Sequence, residues 1–301
     1  MYPELFSIGP IKFHSFGAML ALAFLVSNYL LSKEIERKKI YPDVSSTVTF
    51  LTIVLGIAGS KLFHLIENFD RFLRNPIGEA FNAGGLTFYG GMIVATIGNL
   101  IYLRSQKIAP LRFLDAVAPA LMIGYGIGRI GCLLAGDGCY GEPCDLPWAM
   151  TFPNGYVSTL AAENPELAMQ FRQLFPGVEV PNDIPVHPTP IYELFYSVIF
   201  FALLWKLRTV PKQAGWIFFM YLILQAAGRF SVEFIRLNPS VLFGLSEAQV
   251  IAVAMMLVGA IGLWRISGEP NDTPPSEEEA VKQGAKGARK KKPMSKTAKA
   301  Q

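Results

Sequence analysis

Charge is scarce in this sequence. Only 17% of its 301 residues are Asp, Glu, Lys or Arg, against about 25% in a typical soluble domain, which excludes an ordinary water-facing globule. Cysteine is scarce as well. Cys132, Cys139 and Cys144 form an odd, clustered set; this excludes a disulfide scaffold, and the absence of paired C-x-x-C spacing leaves no metal signature. Neither a metal nor any other cofactor is expected. An extracytoplasmic loop would still permit a Cys139–Cys144 bridge. Met1 to Lys12 lack a basic stretch and a small-residue cleavage site, so no cleavable signal peptide is expected. No internal repeat is visible, and nucleic acid is not an expected partner.

What is abundant is apolar residue, 51% of the chain, with a mean hydropathy of +0.35. It comes in long runs, each close to the ~20 residues that cross the hydrocarbon of a bilayer as a helix. Seven runs are predicted as spans: 15–32, 46–66, 87–104, 113–135, 189–206, 214–235 and 246–266. The fold class is therefore an all-α membrane protein, a seven-span helical bundle. Residues 1–267 form the membrane domain, with 136–188 as a small extracytoplasmic head. Residues 268–301 run from acidic and Pro-rich to basic; they bury too little apolar surface to fold and are predicted to be a disordered cytoplasmic tail.

Orientation follows from the basic residues of the loops. The loops after spans one, three and five, with the tail, hold nineteen Lys and Arg; the opposite face holds five, namely Lys12, Arg71, Arg74, Arg172 and Arg236. The N-terminus is predicted outside and the C-terminus in the cytoplasm.

Three basic residues remain, Lys61, Arg129 and Arg229, inside spans two, four and six. A charge at the centre of a span costs about 2.5–3.5 kcal/mol on insertion scales, and such residues mark sites or pathways. All three fall roughly 8–9 Å below the outer hydrocarbon boundary at the helical rise per residue. Snorkelling to the interface is the plain alternative. Arg129 lies among Gly124, Gly126, Gly128 and Gly131, which allow close approach of a helix or a ligand. Arg229 has Glu233 one turn on, on the same face. His14, Tyr89, Asp137, His187, Tyr192 and Glu193 stand at span ends on the same level. Guanidinium groups match phosphate bidentately, and the phosphate found at that depth is a phospholipid headgroup.

Motifs sharpen this. In order, the chain carries Phe6-Ser7-Ile8-Gly9-Pro10, His14-Ser15-Phe16-Gly17, Gly90-Gly91, Gly128-Arg129-Ile130-Gly131, His187-Pro188-Thr189-Pro190-Ile191-Tyr192-Glu193 and Gly228-Arg229-Phe230-Ser231-Val232-Glu233-Phe234-Ile235-Arg236. The series resembles the bacterial prolipoprotein diacylglyceryl transferase family over about residues 3–266. The resemblance implies a multi-pass enzyme of the bacterial cytoplasmic (inner) membrane, working as a monomer. Its reaction would move a diacylglyceryl group from phosphatidylglycerol to the lipobox cysteine of a preprolipoprotein signal peptide, releasing glycerol phosphate. Arg129 and Arg229 match the family's arginines, and Glu233 would orient Arg229. Tyr89, His187 and Glu193 complete the expected catalytic set. Lys61, Gly90, Gly91, Asp137, His14 and Tyr192, with Arg129, would hold the headgroup. Tyr89 stands where the family has a histidine, Cys132 and Ala135 where it has asparagines, and Phe16 where it has tyrosine. The rivals are a transporter or lipid-binding protein using the same anion site, and a transferase with a different acceptor. A transporter should carry polar residues through the inner halves of its spans, which read as apolar.

Overall fold

The computed structural model describes residues 1–9, 11–40, 43–81, 87–210 and 212–267. The predicted tail, 268–301, and Gly84-Gly85 lie outside these residues. A hairpin, β1 (Glu4–Ile8) and β2 (Ile11–His14), leads into α1 (Ser15–Arg37) and α2 (Asp43–Glu67). Two short helices follow, α3 (Phe69–Arg74) and α4 (Pro76–Phe81), then α5 (Phe88–Ser105) and α6 (Pro110–Ala135). The segment after α6 contains α7 (Pro165–Leu174). The chain ends in α8 (Thr189–Leu207), α9 (Trp216–Glu233), a small hairpin β3 (Ser240–Leu242) and β4 (Leu245–Ser246), and α10 (Glu247–Arg265).

The seven predicted runs therefore coincide with the seven long helices among the described residues. Five of these, α1, α2, α6, α8 and α10, are long and apolar enough to cross a membrane. Phe50, Ile57, Phe195 and Trp264 on them are exposed, as suits surfaces facing lipid rather than water. Local chemistry sets the ends. Pro110 opens α6, where its missing N–H costs nothing, and Gly136 closes it at φ 59° in the left-handed region. The Ser246 side chain and Gln249 cap α10 reciprocally.

One boundary differs with a clear cause. The first run was predicted to end at 32, but α1 continues to Arg37, so Lys33 and Arg37 are helical rather than loop. The extra turn is held by Glu34, which is buried and accepts hydrogen bonds from Arg37 and Arg208. The inner halves are also less apolar than they read. Thr49 donates to Asn28 at 3.0 Å, Asn99 to Thr52 at 2.8 Å and Ser27 to the Ala120 carbonyl at 3.0 Å. Small polar groups paired between helices are ordinary membrane packing, which hydropathy alone does not resolve.

The ends of the bundle are distinct. Leu31, Ile35, Val44, Val48, Leu103, Phe113 and Ala116 form one buried cluster joining the end of α1, the start of α2, the end of α5 and the start of α6. The loops predicted to share a face therefore do share one. At the other end, residues 136–188 fold into a head with its own core of Tyr140, Phe152, Leu167, Phe171, Ile184 and Val186. It is tied down by Gly141, which pairs with Arg236, and by the Glu142 N–H on the Ile235 carbonyl.

Candidate active site

At the head end, α6, α8 and α9 bring charged side chains together. Glu193, one turn into α8, is fully buried. Its Oε2 lies 3.1 Å from Arg129 Nε and 3.7 Å from Arg236 Nη1; its Oε1 lies 3.2 Å from Arg229 Nη1. Tyr125, one turn before Arg129, donates its hydroxyl to Oε1 at 2.8 Å, and the Arg129 guanidinium lies over the Tyr125 ring. Arg229 Nη2 also meets Glu233 Oε2 at 2.8 Å. Glu233 is held in turn by Asn238 at 2.6 Å and Ser246 at 2.7 Å.

Three guanidiniums thus share two carboxylates, which leaves the cluster one positive charge in excess. A buried charge of that kind is costly unless it meets an anion. Arg236 Nη1 is buried without a hydrogen bond among the described residues, so donor capacity is left over as well. The arrangement is a preorganised phosphate cradle, with Glu193 fixing the planes of its arginines.

Gly124, Gly126 and Gly131 serve packing: a Cβ on Gly126 would meet Ser197 at 2.9 Å, and Gly131 faces Phe16 and Met19. A Cβ on Gly128, beside Arg129, would meet nothing within 4 Å. Gly90 and Gly91 are buried against α2, where a Cβ would lie 2.6 Å from the Gly59 carbonyl or 2.7 Å from that of Gly56. They let two backbones approach closely. They therefore serve a helix seam between α2 and α5.

The other expected site residues divide. Tyr89 opens α5 half-exposed, within the field of Arg229, and its hydroxyl bonds to Glu247. Asp137 accepts the Cys139 N–H at 3.2 Å. His187 and Tyr192 pair at 3.3 Å, and Trp148 of the head donates to the Tyr192 hydroxyl at 2.8 Å. His14 pairs with Tyr156 of the head. Lys61 is half-buried on α2, the helix that packs on α5 rather than on those carrying the arginines. Of the three expected cations, Arg129 and Arg229 meet around Glu193, while Lys61 comes from a different pair of helices.

Sequence reading ended its last motif on Arg236 but counted it with the loops and gave it no site role. Its spacing of three from Glu233 was the available signal, and Arg236 Nε does lie 3.9 Å from Glu233 Oε2. It also missed a thiol pair. All three cysteines are free, so no Cys139–Cys144 bridge forms. Instead Arg129 Nη1 lies 3.6 Å from the sulfurs of both Cys132 and Cys139.

The model of the prolipoprotein diacylglyceryl transferase family matches residues 3–265. The chain belongs to that family. Its relatives in the family include the phosphatidylglycerol–prolipoprotein diacylglyceryl transferase of Clostridium tetani, 31% identical over 86% of this chain and 95% of that protein. That of Dehalococcoides mccartyi (strain ATCC BAA-2100) is 30% identical over 85% and 90%. That of Chromohalobacter salexigens is 30% identical over 87% and 91%. Each match takes in the helices that build the arginine cluster, since it covers so much of both chains.

Proposed function

We propose that this protein transfers the diacylglyceryl group of phosphatidylglycerol to the lipobox cysteine thiol of a preprolipoprotein, the first step of bacterial lipoprotein maturation. Family membership supports the reaction, and the arginine cluster is the observation that carries it to these residues. The thiol attacks the glyceryl carbon, the C–O bond breaks, and its electron pair leaves on glycerol phosphate. Negative charge therefore grows on phosphate oxygens. Arg129 and Arg229 meet that charge with donors already in place, which is worth far more in a water-poor site than in solution. Glu193 and Glu233 act as positioning residues. Asp137, His14, His187 and Tyr192 border the headgroup, and Lys61 attracts the anionic lipid from the α2 side.

The protein works in the inner membrane as a monomer with seven spans, α5 and α9 included, the N-terminus and head outside and the tail in the cytoplasm. The clustering of the basic loops at the end opposite the head supports this orientation. The test is to give purified protein phosphatidylglycerol and a lipobox peptide and to look for the diacylglyceryl thioether by mass spectrometry. Product that requires both Arg129 and Arg229 is the expected result; no product from folded protein overturns the reading.

A further inference from the structure

The transfer needs a base, because a free thiol of pKa about 8.5 is only a few per cent thiolate at neutral pH. Three of the candidate bases have partners outside the arginine cluster. His187 is tied to Tyr192, His14 to Tyr156 and Tyr89 to Glu247. Glu193 accepts from Tyr125 while facing arginines.

We propose that the Cys139 thiolate is the general base that takes the proton of the acceptor cysteine, with the Cys132 S–H as the donor that holds it anionic. This rests on the reading of the arginine cluster as the phosphate site. Three observations carry it. Cys139 follows α6 after two glycines with positive φ, Gly136 at 59° and Gly138 at 81°, a reversal that returns its sulfur to the side chain of Arg129. That sulfur is faced by Arg129 and Cys132 from α6, by Arg236 from the segment after α9, and by Asp137 from its own turn. Finally, Arg129 uses Nε for Glu193 and Nη1 for the two sulfurs; its Nη2 makes no bond to a described residue, so a phosphate there would share one guanidinium with Cys139.

The hydrogen bond from Cys132, aided by Arg236, lowers the Cys139 thiol to about 7, while burial raises that of Cys144. Asp137 and the two sulfurs also lie within 4.8 Å of one another, the spacing of a cation site, but two guanidiniums already face Cys139, which favours an anion there over a bound cation. In the step itself the acceptor S–H bond breaks and its proton goes to Cys139. The acceptor sulfur forms the new C–S bond, the C–O bond breaks toward phosphate, and Cys139 returns the proton to the departing glycerol phosphate.

The experiment uses the full chain in phosphatidylglycerol nanodiscs. Iodoacetamide labelling across pH, with each cysteine followed by mass spectrometry, should show Cys139 reacting with a midpoint near 7 and Cys144 well above it. With a lipobox peptide, kcat should fall tenfold per pH unit below that midpoint, because the thiolate is lost as pH falls. Cys139→Ala should lower kcat about 100-fold or more, the usual share of a positioned base, with KM for the lipid little changed and partial rescue by imidazole. Cys132→Ala, which removes the donor, should move both the labelling midpoint and the acid limb upward. A Cys139 that titrates like a free thiol, or Cys139→Ala turning over within threefold of wild type, overturns the assignment. Wild type that makes no thioether at any pH fails the transferase reading itself. The labelling midpoint is read on wild type, so misfolding of the alanine variant leaves the proposal decidable.

Discussion

The two ends of the bundle each bury a carboxylate among arginines, and they are not alike. At the end away from the head, Glu34 accepts from Arg37 and Arg208, and Arg208 is stacked on Trp205. Nearby, Asp115 accepts the N–H groups of Gly215 at 2.7 Å and Phe218 at 2.9 Å, closing the start of α9. Those carboxylates finish helix ends. At the head end Glu193 and Glu233 are outnumbered by Arg129, Arg229 and Arg236, with two thiols alongside. The difference teaches that a buried ion pair by itself says little about function. Both ends hold more guanidinium than carboxylate and a buried donor without a hydrogen bond among the described residues, Arg208 Nε at one and Arg236 Nη1 at the other; what sets the head end apart is the pair of sulfurs beside Arg129.

That contrast can be broken most sharply by comparing Glu193→Gln with Glu34→Gln. Glu193→Gln should cut transfer by about 10³-fold or more, since it frees two arginines that would each act as a transition-state donor. Glu34→Gln should instead cost about 3–5 kcal/mol of stability, the usual loss when one partner of a buried pair is removed, and leave turnover per folded molecule unchanged. Thioether yield and thermal unfolding in detergent separate the two. Equal loss of activity in both would erase the distinction between the ends.

A smaller effect tests geometry against charge. Arg229→Lys keeps the charge but cannot reach Glu193 and Glu233 together, and should lower kcat about 100-fold; Arg208→Lys should not. Smaller again is Gly90→Val in the α2–α5 seam. It should destabilise by about 1–3 kcal/mol through overpacking, seen as a lower unfolding midpoint, with phosphatidylglycerol KM nearly constant. A large rise in KM would restore the headgroup role first expected of Gly90. Least of all, Tyr192→Phe removes the contacts to Trp148 and His187 and should change kcat/KM by less than about tenfold, the worth of one ordinary hydrogen bond.

Much of this was legible before any fold was known. Arg129, Arg229 and Glu193 stand out because ionisable residues inside apolar runs are rare and expensive, and Glu233 follows from helical spacing. Arg236 escaped because α9 ends at Glu233 and the chain turns back toward the head, a path no periodicity records. The packing role of Gly90 and Gly91 was hidden for a related reason. A glycine pair announces close approach without naming what approaches, and here it is the α2 backbone.

The sequence alone determined the number and limits of the long helices, the face shared by the basic loops and the presence of costly charges within apolar runs. These depend on hydropathy and spacing along one chain. Tertiary structure alone decided that Arg236 joins Arg129 and Arg229 around Glu193, and that Cys132 and Cys139 meet at one guanidinium. Those outcomes depend on how separate helices dock and on a reversal through two left-handed glycines, and contacts of that kind have no period to be read.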